Sequence, residues 1–339
     1  MNLKFNKKNK LNYLKISLII MLTILCIFVN ECTKKNNIYR VGILIDGNGF
    51  NDMIQGFKDK MTELGYIENE SISYFLEVGE GDTLKNKYLA ENLVKNKVDL
   101  ILSLATPSTM AAYAVTKGTD IPLVFAYIDT ENTKIIKSVR EPGGNITGVR
   151  YPGPELEARR LEILKEIAPN VKCVWIGYDT RNPANESSLK AVRKTAINLG
   201  ITLVEVPAVS FDDLKKDLSK RNSLNDPGID AIILMPDGLN HMPNGLKLLT
   251  EFSYKHKIPL GGSFLYTVEK GAIFGYANDI YKVGELAAPI ADKILKGTPA
   301  GTIPVVTPNQ DLIINYKLIK EMGLTVPEGL LNQAQKIIR

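Results

Sequence analysis

The chain has 339 residues, of which 45% are hydrophobic and 23% are charged, as in ordinary globular proteins. This length predicts two domains and a core large enough to fold without disulfides. The net charge is +5, but residues 1–31 carry five lysines and one glutamate, so the remainder is near +1. A general basic excess suited to nucleic-acid binding is therefore excluded.

The first 31 residues have the pattern of a secretory signal. Lys4, Lys7, Lys8, Lys10 and Lys15 come before an apolar segment at 16–29. About 14 helical residues span roughly 21 Å, less than a bilayer core of about 30 Å. We predict a signal peptide at 1–31, a polar tether at 32–38, and a protein located outside the cytoplasmic membrane. An uncleaved anchor is the alternative, because residues 11–14 lengthen the apolar run.

Cys32 follows the apolar segment at the position where a bacterial lipoprotein carries its lipid. We therefore predict lipid attachment at Cys32 and a periplasmic or cell-surface protein. The residues before it, Val29-Asn30-Glu31, match such a site poorly, so a plain cleaved signal is the alternative.

Strands and helices alternate from residue 39 to about residue 126. The apolar run Leu100–Leu104 is typical of a parallel strand buried on both faces, and Thr106-Pro107-Ser108 directly after it can start a capped helix. Such alternation predicts a parallel sheet covered by helices on both faces. The predicted elements are strands at 39–45, 72–78, 100–104 and 122–126, with helices beginning near 51, 84 and 106.

The pattern breaks at Glu141-Pro142-Gly143-Gly144-Asn145 and then restarts. We predict a chain crossing at 145–154 and a second α/β unit after it. The fold class is therefore α/β, with two doubly wound parallel-sheet lobes joined by a hinge. Lobe 1 takes 39–148 plus about 271–300, and lobe 2 takes 151–265 plus about 308–339. The predicted second-unit helices are 155–167, 186–199, 211–221 and 246–256, and its strands are 172–178, 202–207, 231–235 and 258–261.

The sequence gives little support to an enzyme. Its two histidines, His241 and His256, lie in a loop and at a helix end, and His241 is a minor candidate for ligand contact. Residue spacing suggests no metal site, no dinucleotide fingerprint and no Walker lysine motif. Cys173 falls in a buried strand, where it is most simply a core residue. We predict no catalytic residue, no metal and no cofactor.

Polar and aromatic residues instead follow the predicted strands. In open α/β sheets ligands bind beyond the carboxyl ends of the strands, so these residues are the candidates for ligand binding. Each taken alone is more easily explained as a cap or turn residue. The candidates in lobe 1 are Asp46, Asn48, Phe50, Asn51, Thr106, Ser108, Thr109, Tyr127 and Asp129. Those in lobe 2 and its crossings are Tyr178, Asn182, Asp237, Ser263, Asn278 and Asp279.

Several segments resemble the ABC-transporter substrate-binding proteins of the tryptophan/tyrosine-type group. The most specific is Pro-Gly-Gly-Asn-Ile-Thr-Gly-Val at 142–149, and the resemblance covers about 39–336. Weaker matches are Ala105-Thr106-Pro107-Ser108, 121–126, 199–206, 256–259, 270–272 and 322–327. Asp129-Thr130 departs from the Asp-Pro that members often carry, and the glycine-rich loop 46–51 departs as well.

The resemblance implies a type I periplasmic-binding-protein fold whose lobes close on a small ligand and pass it to a membrane permease. We expect a monomer that binds a polar ligand, most simply an amino acid and possibly an aromatic one. Thr106, Ser108 and Thr109 would bind its carboxylate and Asp129 its ammonium, with Asp237 or Asp279 reaching from the other lobe. Tyr127, Phe50, Tyr178 or Phe264 could stack on a ring. An extracellular sensor, or less plausibly an α/β enzyme, is the alternative.

Overall fold

The computed structural model describes residues 38–182 and 185–339. The predicted signal peptide, Cys32 and residues 32–37 of the tether lie outside the described residues. Within the described ranges, no helix is both long and apolar enough to span a membrane.

The first lobe is built on a parallel sheet with the order β2-β1-β3-β4-β5, counting strands in the described part of the chain. Leu100–Leu104 and Leu123–Ile128 are buried at every position, as expected for central strands covered on both faces. The strands are β1 Tyr39–Ile45, β2 Ile72–Val78, β3 Leu100–Leu104, β4 Leu123–Ile128 and β5 Ile146–Arg150. The helices are α1 Asn51–Glu63, α2 Thr83–Lys95, α3 Thr106–Thr116 and α4 Thr130–Thr133, with a short 3-10 turn at Asn48–Phe50.

The second lobe has the order β12-β11-β10-β9-β8-β6-β7 over the same described residues. Its strands run parallel except where β11 pairs antiparallel with β10. The strands are β6 Cys173–Asp179, β7 Thr202–Ala208, β8 Ala231–Ile233, β9 Leu260–Gly262, β10 Phe274–Ala277, β11 Asp311–Asn315 and β12 Lys336–Ile338. The helices that follow β5 in the chain are α5 Gly153–Ile167, α6 Asn185–Leu199, α7 Phe211–Asn222, α8 Gly238–His241, α9 Pro243–His256, α10 Ile280–Leu295, α11 Tyr316–Glu321 and α12 Glu328–Gln333, of which α10 packs on lobe 1. Short 3-10 turns lie at Leu265–Lys270 and Ala300–Thr302.

The two-lobe α/β architecture predicted from the sequence is confirmed, with one correction to how the chain divides. The sequence predicts that about 271–300 belongs to lobe 1, but β10 pairs with β9 and β11 in the second sheet. The chain returns to lobe 1 only with α10, which packs against α1. The apolar run at 272–277 fits a strand in either sheet, so its partners decide where it belongs.

Within the described residues the chain crosses between the lobes at three places, and side chains hold these crossings together. Nε of Arg150, at the first crossing, donates to Thr307 Oγ1 of the third at 2.9 Å. Nδ2 of Asn278, at the second crossing, donates to the Asn309 carbonyl at 2.8 Å. The crossings therefore form a connected hinge beside the junction of the lobes.

Candidate binding site

The loops that follow β4 in lobe 1 and β6 in lobe 2 meet at the junction of the lobes. Ser187 on α6 donates to Asp129 Oδ2 at 2.7 Å, and the Asp129 N–H donates to Thr106 Oγ1 at 3.3 Å. Phe264 of lobe 2 packs against the core of lobe 1. Residues predicted from both halves of the sequence therefore lie at one interface.

Helix α3 begins at Thr106, so the residue in the N-cap position is Ala105. Alanine has no side-chain oxygen to cap the first N–H groups, contrary to the expected capping by Thr106 or Ser108. Ala105 also has φ 70° and ψ 162°, a conformation that L-residues rarely adopt. The positive end of α3 therefore points from a strained turn toward the junction.

The hydroxyls of α3 are partly committed to the protein. Ser108 Oγ donates to the carbonyls of Leu104 and Ala105. Thr109 Oγ1 lies 2.8 Å from Ser103 Oγ in the buried interior. These two side chains fix the turn between β3 and α3, whereas Thr106 is buried and its Oγ1 accepts the hydrogen bond from the Asp129 N–H.

The loop after β1 contributes an aromatic residue and a tethered carboxylate. Phe50 packs against the lobe 1 core, and Asp46 Oδ1 accepts a hydrogen bond from Asn86 Nδ2 at 2.6 Å. Asn51 begins α1 with an exposed side chain. The side chain of Asn48 lies outside the described part of the structure.

Tyr127 and Tyr151 form an aromatic pair at the deep end of the junction. Their ring centroids are 4.7 Å apart with an interplanar angle of 50°. Tyr127 has φ 64°, an uncommon value for an aromatic residue, which turns the chain at the end of β4. Its hydroxyl is buried and has no hydrogen-bond partner among the described residues.

Next to this pair lies a fully buried ion pair, Glu157 with Arg160, in the first turns of α5. Tyr151 OH donates to Glu157 Oε1 at 3.0 Å. Arg160 also donates to the carbonyls of Tyr276 at 2.7 Å and Ser263 at 2.6 Å. Burial raises the pKa of the Glu157 carboxyl, against the opposing effect of Arg160. The guanidinium therefore both joins α5 to the second sheet and favours the charged carboxylate.

His241 lies at the same edge of the second sheet. Its Nε2 is 2.5 Å from Ser263 Oγ and its Nδ1 is 2.7 Å from Tyr266 OH. Its ring meets Phe264 edge-on at 4.6 Å between centroids. Burial, followed by the nearby charge of Arg160, lowers the pKa of His241 to about 3, so the imidazole is neutral at physiological pH. His241 therefore holds Ser263, Phe264 and Tyr266 in place.

Asp237 is predicted to contact the ligand through its side-chain carboxylate. In the structure this carboxylate is surrounded by hydrogen-bond donors from its own lobe. Its Oδ2 accepts from the Asp179 N–H at 2.9 Å and from Asn185 Nδ2 at 3.1 Å. Its Oδ1 accepts from the Asn240 N–H at 3.1 Å and from Asn240 Nδ2 at 2.8 Å. Burial raises the pKa of this carboxyl. Asp237 therefore joins the loops that follow β6 and β8.

The remaining candidates in lobe 2 and at the crossings are Tyr178, Asn182 and Asp279. Tyr178 packs on the lobe 2 core and its OH donates to Glu205 on β7 at 3.2 Å. The structure therefore does not place Tyr178 with the aromatic residues of the junction. Asn182 lies in the loop between Asp179 and Asn185, with its N–H donating to the Asp179 carbonyl. Asp279 caps α10 by accepting from the N–H groups of Tyr281 and Lys282.

Three residues of this site were absent from the prediction: Tyr151, Glu157 and Arg160. A signal for two of them was present in the sequence. Positions 157, 160, 161 and 164 share one face of α5, and the apolar members of that face are Leu161 and Leu164. Charged residues on the apolar face of a helix indicate a buried polar contact, because isolated buried charges are costly.

The described ranges contain no group of three or more histidine, cysteine, aspartate or glutamate side chains arranged to hold a metal ion.

Comparison with known proteins gives consistent matches over nearly the whole described chain. The family model for "ABC transporter substrate binding protein" matches residues 40–338. A tyrosine-binding protein of Clostridioides difficile strain R20291 is 25% identical over 295 residues, which cover 86% of this chain and 82% of the relative.

Two solved structures share the fold. The ABC domain from Streptococcus pneumonia in complex with L-Trp has a TM-score of 0.78 and 24% identity, covering 89% of this chain and 100% of that one. A ligand-free, open substrate-binding protein with adhesive properties from Clostridium difficile has a TM-score of 0.69 and 24% identity, covering 88% of this chain and 99% of that one.

Proposed function

Because the chain belongs to the family of ABC transporter substrate-binding proteins, we propose that it captures an aromatic L-amino acid between its two lobes. Proteins of this family bind small molecules outside the cytoplasm and work with a membrane permease. Closure of the lobes on the ligand would present the loaded protein to that permease.

The aromatic surface at the lobe junction is the observation that carries this proposal. Tyr127 and Tyr151 pair at its deep end, while Phe50 and Phe264 pack against the same core from the two lobes. Aromatic rings favour offset or edge-to-face contact with another ring. The tyrosine-binding relative and the L-Trp complex agree with a ligand of this class.

A site that can bind the carboxylate of the ligand lies beside the aromatic surface. The N–H groups at the start of α3 are uncapped by Ala105, and Thr106 lies next to them. Backbone N–H groups and the helix dipole together favour a negative group at this position. We propose that the ligand carboxylate binds there, with Thr106 as the side-chain donor.

These contacts are sufficient for useful affinity. A charge-assisted hydrogen bond contributes about 1.5–3 kcal/mol and burial of a large apolar side chain about 1.5–3 kcal/mol. A few such contributions, less the cost of association and closure, give a dissociation constant on the order of 1 μM, near −8 kcal/mol.

Export and anchoring are separate proposals. We propose that residues 1–31 direct export and that Cys32 carries a lipid that holds the protein at the outer face of the cytoplasmic membrane. Labelling with a fatty-acid analogue should mark the wild-type protein and fail to mark Cys32→Ser. Release of Cys32→Ser into the medium would support the anchor, and equal labelling of both proteins would contradict it.

A thermal-shift screen tests the ligand class. We expect L-tyrosine, L-tryptophan or L-phenylalanine to raise the unfolding midpoint by several degrees. A ligand at a hundred times its dissociation constant adds about 2.7 kcal/mol to stability. L-Leucine, ribose and a dipeptide serve as controls for size, polarity and charge. Stabilisation by one of these controls, with none by the aromatic amino acids, would contradict the proposal.

A further inference from the structure

We propose that Glu157 binds the ammonium group of the amino-acid ligand through its Oε2 atom, with the Tyr127 hydroxyl beside it. This inference rests on the proposed function and identifies the group that selects amino acids from other aromatic molecules. It assigns this role to Glu157 in place of Asp129, Asp237 and Asp279, which the sequence predicts as the candidates.

Unpaired buried atoms are the first argument. Glu157 is fully buried, and its Oε2 has no hydrogen-bond partner among the described residues, although Oε1 is bound by Tyr151 and Arg160. The Tyr127 hydroxyl is in the same condition. Most buried polar atoms in folded proteins are hydrogen-bonded, so two unpaired acceptors around one ion pair indicate a place for a donor.

Charge balance is the second argument. Glu157 and Asp237 are both buried, and Arg160 is the buried cation that pairs with Glu157. Asp179 is already neutralised by Arg181, whose Nη2 lies 2.7 Å from Asp179 Oδ2. Together with buried Asp129, these carboxylates outnumber the one guanidinium that is buried within the described chain. An ammonium group on the ligand would reduce this excess of negative charge.

The competing carboxylates are already engaged. Asp129 accepts hydrogen bonds from the N–H groups of Glu131 and Asn132, from Asn132 Nδ2 and from Ser187 Oγ. Asp237 accepts four as well, all from lobe 2. A ligand ammonium would have to displace these donors, whereas Glu157 Oε2 has no donor among the described residues to displace.

Glu157 is connected through neighbouring residues to the site proposed for the ligand carboxylate at the start of α3. Tyr127 packs on Tyr151, which bonds Glu157, and it lies two residues before Asp129, whose N–H contacts Thr106 at the start of α3. The end of β4 thus connects the two polar ends of the site. The ammonium would lie on the lobe 2 side and the carboxylate on the lobe 1 side, so binding would bridge the lobes.

Calorimetric titration with matched ligands tests Glu157. The probes are L-tyrosine with 3-(4-hydroxyphenyl)propionate, and L-tryptophan with indole-3-propionate, in each case the same molecule without its amine. We expect the wild-type protein to bind each amino acid at least tenfold more tightly than its desamino partner. Glu157→Gln should weaken amino-acid binding at least tenfold and leave the desamino acids within about threefold. Equal loss for both members of a pair would overturn the proposal.

Tyr127→Phe keeps the test valid if Glu157→Gln does not fold. It removes a hydroxyl that no described residue binds, so the unfolding midpoint should be unchanged while affinity for the amino acid falls at least threefold and that for the desamino acid does not. Tyr151→Phe is the control that loses a hydroxyl bonded within the protein. Unchanged amino-acid affinity in Tyr127→Phe would overturn the role of the Tyr127 hydroxyl.

The same titrations separate this inference from the proposed function. If the protein binds an aliphatic amino acid, the proposed aromatic ligand is wrong, while comparison of that amino acid with its desamino analogue still decides the role of Glu157. A ligand that carries no amine would overturn the role of Glu157 directly. Tight aromatic amino-acid binding that Glu157→Gln leaves unchanged would overturn only this inference.

Discussion

Two buried carboxylates in lobe 2 have different surroundings and therefore different roles. Asp237 accepts four hydrogen bonds and its pKa is raised by burial. Glu157 shares one oxygen with Tyr151 and Arg160 and has a second oxygen unpaired within the described chain. A saturated carboxylate stabilises its own loops, whereas an unsaturated one can receive a ligand donor.

Asp237→Asn should therefore reduce stability more than it changes ligand recognition. In the variant an amide NH2, which cannot accept a hydrogen bond, replaces one carboxylate oxygen. The buried N–H groups that donate to that oxygen would lose their partner, at a cost of about 1–3 kcal/mol each. Urea unfolding should show a fall of at least about 2 kcal/mol. Asp226→Asn is the control, because exposed Asp226 accepts a single hydrogen bond from the Gly228 N–H. Unchanged stability with lost binding would instead assign Asp237 to the ligand.

Among the elements, α10 shows how closely lobe 1 packs around the returning chain. A Cβ on Gly284 would lie 1.9 Å from the Met53 carbonyl oxygen, and a Cβ on Gly56 of α1 would lie 2.1 Å from the Tyr281 carbonyl oxygen. The backbones of α1 and α10 are therefore in direct contact at two glycines. Larger residues at either position would force the helices apart.

Gly284→Ala should destabilise the protein by about 1–3 kcal/mol, the usual cost of an extra methyl group in a packed interior, and the rigid backbone contact places it toward the upper end. Thermal unfolding measures the change. Gly329→Ala, in helix α12, is the matched control, because a Cβ there meets no atom within 4 Å. Alanine is also the better helix former, so this control should be neutral or slightly stabilising. Equal stability of the two variants would contradict the close packing.

Helix α5 illustrates how much of an element can be predicted. Its span was expected at 155–167 and is observed at Gly153–Ile167, because the apolar spacing and Pro169 are local signals. The partners of Arg160 include the carbonyls of Ser263, directly after β9, and of Tyr276 in β10, which are more than a hundred residues away along the chain. Periodicity identifies a buried face but not what covers it.

For the whole molecule, the hydrogen bond from Ser187 to Asp129 links the lobes directly across their junction. It joins the loop after β4 to the first turn of α6, away from the three crossings. Because ligand capture requires the lobes to approach, contacts of this kind favour the closed arrangement over the open one.

Ser187→Ala should weaken ligand binding about tenfold or more, since a hydrogen bond to a charged group is worth about 1.5 kcal/mol or more and 1.4 kcal/mol is tenfold in affinity. Titration gives the affinity, and small-angle scattering should show a larger radius of gyration without ligand. Ser223→Ala removes a hydroxyl bonded to the Lys220 carbonyl on the surface of lobe 2 and should change neither quantity. No difference between these variants would show that the contact does not contribute to closure.

The sequence by itself determined the alternation of strands and helices, the two-lobe class and the gathering of polar residues beyond the strands, because these depend on local periodicity and turn chemistry. It could not determine that β10 joins the second sheet, since strand partners are chosen by long-range pairing. Nor could it separate Asp237 from Glu157, since a carboxylate's role depends on which donors the fold brings to it. Tertiary structure alone decided those contacts, because hydrogen-bond saturation is a property of the assembled neighbours and not of the residue type.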